Sequence, residues 1–378
     1  MRARLLLVAL LLSPALAAAD PGDARALRWP GGVDAALSVT ADDGVYRHWV
    51  TLAPMLSERG LSGTFYVVTG WATADSLWDT WIDVAAQGHE VGSHSVSHQD
   101  LVTLGPAELA DELQDSRATL QAEVGTEHGT THAFPYSSAD GTVVAAAEAA
   151  GYVAARTGGN RLVGDDDPLF ALPSVHPVTG WTEDDVLPYL EQAIGGERWM
   201  ILGIHGIRVA GDELPETHEG WEPVEQEVYA AVFDRAAAEV EAGRLWVAPV
   251  RDVARRVRSW RLAEATTLGV DDAVIGVGLE GDGAVLDWEI EVPTDWARVD
   301  LRIDEGARIR RDTVERAGRR YVVVEAAAPA TVDVTPATLP GEGEPPPLVG
   351  EPVPVTGCAS LGAVALLPLL LLGVRRRP

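Results

Sequence analysis

The sequence of 378 residues predicts an α/β fold: a distorted (β/α) barrel of about seven strands over residues 30–262, then a small antiparallel β-domain over 263–337. Three observations carry this expectation. Apolar strand-like runs alternate with helix-patterned stretches from about residue 34 to residue 260. About seven such strand-then-helix units imply a parallel sheet, and this length favours a barrel over an open sheet. After Leu262 the texture changes to runs that alternate apolar with small or polar residues between Gly and Asp turns.

Asp34 to Asp42 reads as the first strand of the barrel, and Tyr46 to Arg59 as a helix ended by Gly60. Ser62 to Thr69 is strand-like, and Ser76 to Gln87 is helical up to Gly88. The pattern recurs in Glu90 to Ser93, a helix from Pro106 to Glu123, His132 to Tyr136, a helix from Thr142 to Ala150, and Tyr152 to Arg156. It closes with Trp199 to His205, a helix from Val224 to Ala242, Leu245 to Val250, and Arg251 to Leu262. In the β-domain, Val274 to Leu279, Ala284 to Val292, Ala297 to Ile303 and Arg320 to Glu325 read as strands. Residues 338–357, rich in Pro, Gly and Glu, read as a stiff polar tether.

The formal charge is -28, and every basic residue except His is Arg. Such a charge repels phosphate and argues against a nucleic-acid partner; it suits neutral or cationic substrates. Both ends read as address labels. Residues 1–19 carry Arg2 and Arg4, an apolar run from Leu5 to Leu12, and Ala17-Ala18-Ala19, the pattern of a cleaved secretory signal. Residues 358–378 hold Cys358, an apolar run from Ala359 to Val374, and Arg375-Arg376-Arg377. That order resembles the C-terminal sorting signals read by bacterial surface-processing proteases; a plain membrane anchor fits equally. Either reading places the body of the protein outside the cytoplasm, exported or at the cell surface. Cys358 is the only cysteine, so no disulfide or cysteine-based site exists in the body.

Chemistry-bearing residues fall at predicted strand ends, where barrels of this kind place their sites. Asp42-Asp43-Gly44 sets two adjacent carboxylates pointing in different directions, so one can bind a cation while the other stays free as a base; the same tripeptide is also a common turn. His94 and His98 stand four residues apart and share a face if the segment turns helical. Neutral imidazoles and one carboxylate suit zinc and similar divalent ions and leave positions open, the arrangement of a catalytic rather than a structural metal. His205 ends an apolar strand and suits a general acid; a satisfied core histidine is the plainer reading.

In this order the pieces resemble the polysaccharide deacetylase family, also called the NodB-homology family or carbohydrate esterase family 4. Thr40-Ala41-Asp42-Asp43-Gly44 is similar to its first motif, Thr-Phe-Asp-Asp-Gly, and His94-Ser95-Val96-Ser97-His98 meets its second, His-Ser/Thr-x-x-His. The resemblance covers about residues 33 to 260 and implies Asp42 as catalytic base, with Asp43, His94 and His98 as metal ligands. The third motif departs from the common Arg-x-Pro-Tyr-Gly: Ala133-Phe134-Pro135-Tyr136-Ser137 looks like the branch with Ala-Tyr-Pro-Tyr-Gly. There the backbone N–H of Tyr136 helps to stabilise an oxyanion. Arg156 stands where that branch carries an Arg after its next strand, and so is placed to substitute for the missing motif Arg; it is also counted with Trp181 and Trp221 among residues facing substrate.

The resemblance implies hydrolytic removal of acetyl groups, N-acetyl favoured over O-acetyl, from an acetylated carbohydrate polymer. It also implies one divalent ion as cofactor, zinc first, with cobalt, nickel or manganese as alternatives. A carbohydrate-binding surface protein that kept the fold but lost turnover is the competing expectation, favoured only by Ala133.

Overall fold

The computed structural model describes residues 21–212, 218–271 and 273–337. The predicted export signal, tether and C-terminal segment lie outside these residues. Among those described, no helix is long and apolar enough to cross a membrane.

The described chain starts with β1 (Ala24–Ala26), which belongs to the second domain. The parallel sheet follows: β2 (Ala35–Ala41), β3 (Gly63–Val67), β4 (Glu90–Ser93), β5 (Thr131–Ala133), β6 (Ala154–Arg156) and β7 (Trp199–Ile204). A short ladder of β8 (Ile207–Arg208) with β9 (Val224–Glu225) precedes the seventh parallel strand, β10 (Leu245–Val247). The β7 strand pairs with β2 along Ala36–Ala41, so β10, at the start of β2, and β3, at its end, share the opposite edge. Between β6 and β7 the extended residues 172–175 bridge both neighbours, at Arg156–Leu172 and Val175–Leu202, and close the barrel irregularly. The strands are short and buried because both faces are covered, which is why they read as continuous apolar runs rather than alternating ones.

Among the described residues eight helices pack outside: α1 (Ala53–Ser57), α2 (Thr69–Ala74), α3 (Trp78–Ala86), α4 (Pro106–Glu123), α5 (Gly141–Ala149), α6 (Glu183–Gly195), α7 (Gln226–Glu241) and α8 (Val250–Arg261). Asp140 caps α5 by accepting from the N–H groups of Thr142 and Val143. Two departures from expectation have local causes. The helix expected over Tyr46 to Arg59 widens to a π turn at His48–Leu52 and is regular α-helix again over Ala53–Ser57, with Pro54 near its start. The α6 helix was not expected; it carries Pro188 inside and three acids in its first turn, which blur its apolar period.

The second domain is an antiparallel sandwich of β11 (Glu264–Val270), β12 (Ile275–Glu280), β13 (Val285–Val292), β14 (Arg298–Ile303), β15 (Ile309–Asp312), β16 (Val314–Arg316), β17 (Arg319–Ala327) and β18 (Ala330–Pro336). One sheet runs β1-β13-β17-β16, the other β11-β12-β18-β14-β15, with Trp288, Ile290, Val277, Val322 and Val332 in the shared core. Thus residues 24–26, ahead of the barrel, complete the domain that follows it. Arg256 of α8 fastens the two domains by donating to the carbonyls of Leu27 (2.8 Å) and Arg28 (3.1 Å) and to Asp287 (3.1 Å). The Trp260 indole donates to Ala26 O at 3.2 Å.

The barrel core also encloses imidazoles. His48 meets the carbonyl of His205 at 3.0 Å, and His89 accepts from Gly63 N at 3.1 Å. Burial pushes both down to about 4, so they are neutral in the folded chain but protonate near 6.5 once unfolded. Their stabilisation is therefore complete above pH 6.5 and is lost as pH falls toward 4, at about 1.4 kcal/mol per pH unit for each ring. Glu90, whose pKa burial raises, opposes this in part. We expect the urea midpoint to fall between pH 7 and pH 5; a midpoint that does not move would show these rings to be hydrated.

Candidate active site

Register puts the chemistry on one rim. Asp42 follows β2 and donates its N–H to Ile204 O (3.0 Å), so it lies level with His205 at the end of β7. Ser93 pairs with His132 and Ala133 with Arg156, which brings the ends of β4, β5 and β6 to the same edge. All five residues of the predicted set, Asp42, Asp43, His94, His98 and His205, meet there.

His94 and His98 are not joined by a helical turn, as their spacing suggested. The segment is a loop bent by left-handed residues, Ser95 (φ 64°) and His98 (φ 60°), beside Asp43 (φ 76°), Tyr136 (φ 58°) and Ser137 (φ 55°). Five non-glycine residues in this conformation at one rim are strain that only a packed surrounding sustains. The surrounding is identifiable. Glu112 of α4 accepts from Val96 N (2.8 Å), Ser97 N (2.9 Å) and Ser97 Oγ; Ser95 Oγ accepts from His98 N (2.9 Å). Gly70 N donates to Val96 O at 2.9 Å.

The ligand atoms of Asp43, His94 and His98 lie within 4.8 Å of one another. The Nε2 atoms of His94 and His98 stand 3.4 and 3.2 Å from Asp43 Oδ1, which is buried and receives no hydrogen bond. His94 Nδ1 donates to Ala133 O at 2.7 Å, which leaves the Nε2 lone pair facing the carboxylate. An acceptor-only oxygen facing imidazole lone pairs is the donor set a divalent cation completes. Burial would raise Asp43, but when His94 and His98 carry Nε2 protons in place of a cation they hold it well below the usual carboxylate range, so it is ready as an anionic ligand.

Asp42 has a different partner. It is 3% exposed, and Oδ1 takes a charge-assisted hydrogen bond from Nη2 of Arg156, itself 1% exposed. Burial would raise its pKa, but the guanidinium, with His94 and His205, holds it well below the ordinary range. Its other oxygen, Oδ2, lies 3.5 Å from His205 Nε2. Burial lowers His205, against the pull of Asp42 and Asp43. Arg156 is thus in the place foreseen for a substitute of the missing motif Arg, and it is sealed from any substrate surface.

The rim is aromatic. Tyr136 is 68% exposed and Trp221 60% exposed; their rings meet those of His98 at 4.8 Å and His205 at 5.1 Å. Trp221 reaches His205 because Gly220 (φ 90°) lies against the His205 carbonyl, where a Cβ would come within 2.4 Å. Trp181 instead stacks on Tyr189 of α6 and packs against the barrel core. Sequence reasoning missed Trp71, whose ring lies 5.4 Å from that of His98, opening a cavity of about 350 Å³ beside Asp43 with Tyr46 and Trp49. It also missed Glu112 and the Ala133 carbonyl.

Residues 22–155 match the family model described as polysaccharide deacetylase, a span that holds Asp42, Asp43, His94, His98 and Tyr136. The chain carries a polysaccharide deacetylase domain. A gellan lyase from a Bacillus species is 37% identical over 118 residues, 31% of this chain and 5% of that protein. A chitin deacetylase from a Pestalotiopsis species is 29% identical over 89 residues, 23% of this chain and 30% of that protein. The chain therefore spans under a third of either relative. A family 4 carbohydrate esterase from Streptomyces lividans, solved with acetate, is 15% identical, with 57% of this chain and 92% of that chain covered and a TM-score of 0.37.

Within the deacetylase domain, Glu112→Ala frees the Ser95–His98 loop without touching a ligand. We expect metal affinity to fall about tenfold, as removal of an outer support does elsewhere, read by titration calorimetry. Unchanged affinity would make the clamp irrelevant to the ligand set.

Proposed function

We propose that this protein is a metal-dependent hydrolase that removes acetyl groups from an extracellular polysaccharide, with N-acetyl groups the first substrate and O-acetyl esters the close rival. One observation carries the reading: Asp43, His94 and His98 converge, while the adjacent Asp42 turns to Arg156 and His205. A binding surface has no need of two neighbouring carboxylates with separate partners. The feature that favoured a binding-only protein, Ala133 in place of an Arg, loses weight because Arg156 supplies a guanidinium to Asp42.

Asp43, His94 and His98 would hold a divalent ion, zinc first and cobalt, nickel or manganese compatible, which would supply Lewis-acid chemistry toward a carbonyl and a water. Asp42, kept ionised, takes the proton of the attacking water on Oδ2. His205, beside that oxygen, returns a proton to the departing amine or alcohol, and its Trp221 contact holds the ring in place. The Tyr136 N–H is assigned to the developing oxyanion. Exposed Tyr136, Trp221 and Trp71 suit stacking on sugar rings, and the -28 charge suits a neutral or cationic glycan. The relative named chitin deacetylase supports an N-acetylated polymer. The basic, apolar and small-residue start supports export, and the Cys358 segment supports retention by a processing protease or the membrane.

The test is acetate release from N- and O-acetylated oligosaccharides with and without chelator; absence of chelator-sensitive release on every substrate refutes the proposal. His94→Ala and His98→Ala should lower metal affinity and turnover together. Asp42→Asn should lower kcat by roughly 10²- to 10⁴-fold with metal retained; loss of metal as well would show that the two carboxylates do not divide their roles.

A further inference from the structure

Behind Asp42 lies a layer that the mechanism above leaves unused. A guanidinium carries five N–H donors in a rigid fork, and one bond leaves it free to pivot. Arg156 spends Nη2 on Asp42; its Nη1 lies 3.2 Å from His176 Nε2 and 3.4 Å from Ser174 Oγ. Ser174 Oγ, with a single proton to give, is 2.7 Å from the same Nε2 and in hydrogen-bond contact with Thr157 O. Nη1–H of Arg156 meets a lone pair on Nε2 in the tautomer that carries its proton on Nδ1, a buried nitrogen with no partner among the described residues. Burial beside Arg156 pushes His176 down to about 3, which keeps the ring neutral.

The position of His176 is built in. Its backbone N–H donates to Asn160 Oδ1 at 2.9 Å. Val175 N donates to Ile201 O and Gly203 N to Val175 O, both at 2.8 Å, which fixes residue 175 on β7. The imidazole then lies over Gly203, where a Cβ would come 2.4 Å from its Cε1 and 2.8 Å from both ring nitrogens. Its ring centroid is 5.1 Å from that of His205. Gly203, two residues before His205, is therefore the gap that admits His176 between the acid and the guanidinium.

We propose that His176 is a positioning residue: by accepting the second arm of Arg156 it locks the guanidinium onto Asp42 and so aims Oδ2 at His205 and the attacked water. It touches no substrate and transfers no proton. The proposal rests on the reading of Asp42 as the base.

The test compares His176→Met, His176→Gln and Gly203→Ala in the full chain, by acetate release from N-acetylated chito-oligosaccharides and by zinc titration. His176→Met should lower kcat roughly 10- to 100-fold, the scale of a small misplacement near the reacting atoms, with KM and zinc affinity unchanged. His176→Gln, which keeps an acceptor for Nη1, should recover most of the loss. Gly203→Ala should reproduce the loss with the imidazole intact, and it carries the test if His176→Met does not fold. In an Arg156→Met background, His176→Met should cause no further fall. Full activity in His176→Met or Gly203→Ala, equal loss in both backgrounds, or a parallel loss of zinc affinity overturns the proposal alone. A wild type that releases no acetate from any acetylated glycan overturns it together with the reading of the site.

Discussion

Two carboxylates on successive residues at a buried strand end repel each other unless each is given its own counter-charge. Asp42 and Asp43 meet that condition by facing opposite ways. Asp42 turns inward to Arg156, and Asp43 turns along the rim to two imidazoles. The split depends on the left-handed backbone at Asp43, followed by Gly44, and on a guanidinium brought from β6, more than 100 residues on. Take Arg156 away and Asp42 would be a buried anion beside a buried anion. Its proton affinity would rise.

Burying Asp42 with Arg156 also sets desolvation against attraction. Burying two ions costs several kcal/mol each, and a lone guanidinium–carboxylate contact repays this only if the remaining donors find partners. That makes the surroundings of Arg156 part of the same constraint. Its Nη1 faces His176 and Ser174, and the guanidinium lies 5.2 Å from the Tyr66 ring centroid. The irregular segment that closes the barrel, residues 172–175, leads straight into His176 and so places it. Fold closure and site electrostatics are accordingly one problem, solved by one stretch of chain.

The sequence made some of this legible and not the rest, for physical reasons. Asp42 and His205 were readable because each ends a run that otherwise belongs in a core, and Asp43, His94 and His98 because they stand in an order shared with a known family. Arg156 was readable only by analogy with that family, and its burial was not. Glu112 acts through backbone N–H groups sixteen residues back, and the Ala133 carbonyl acts with no side chain at all; neither leaves a pattern in the letters. The pairing of His94 with His98 was expected from helical spacing but arises from two left-handed residues, a conformation that Ser and His do not advertise. In the β-domain, β11 is exposed along most of its length, so the alternation that betrays a half-buried strand is missing. The contribution of β1, before the barrel, to a sandwich after it is a non-local pairing that no window along the chain detects.

Glu90 shows why the counter-charge, rather than hydrogen bonding as such, keeps Asp42 ionised. It is as buried as Asp42 and accepts from Thr131 Oγ1 (2.8 Å), Thr64 Oγ1 (3.0 Å) and Arg251 N (3.0 Å) at the start of α8. Yet its pKa is raised, because burial outweighs neutral donors and a more distant Arg251 charge. Asp42 has fewer bonds but a guanidinium in direct contact, and there the attraction wins. A carboxyl group whose pKa burial raises and whose partners are neutral donors suits a structural role at the start of β4, where it ties β4 to β3, β5 and α8. A carboxylate that has lost its proton, with one oxygen committed and the other turned toward His205, is what abstraction of a proton from water requires. The difference between the two buried carboxyl groups in this sheet is therefore one buried arginine, and on the proposed reading the residues that hold that arginine position the base without taking part in the reaction.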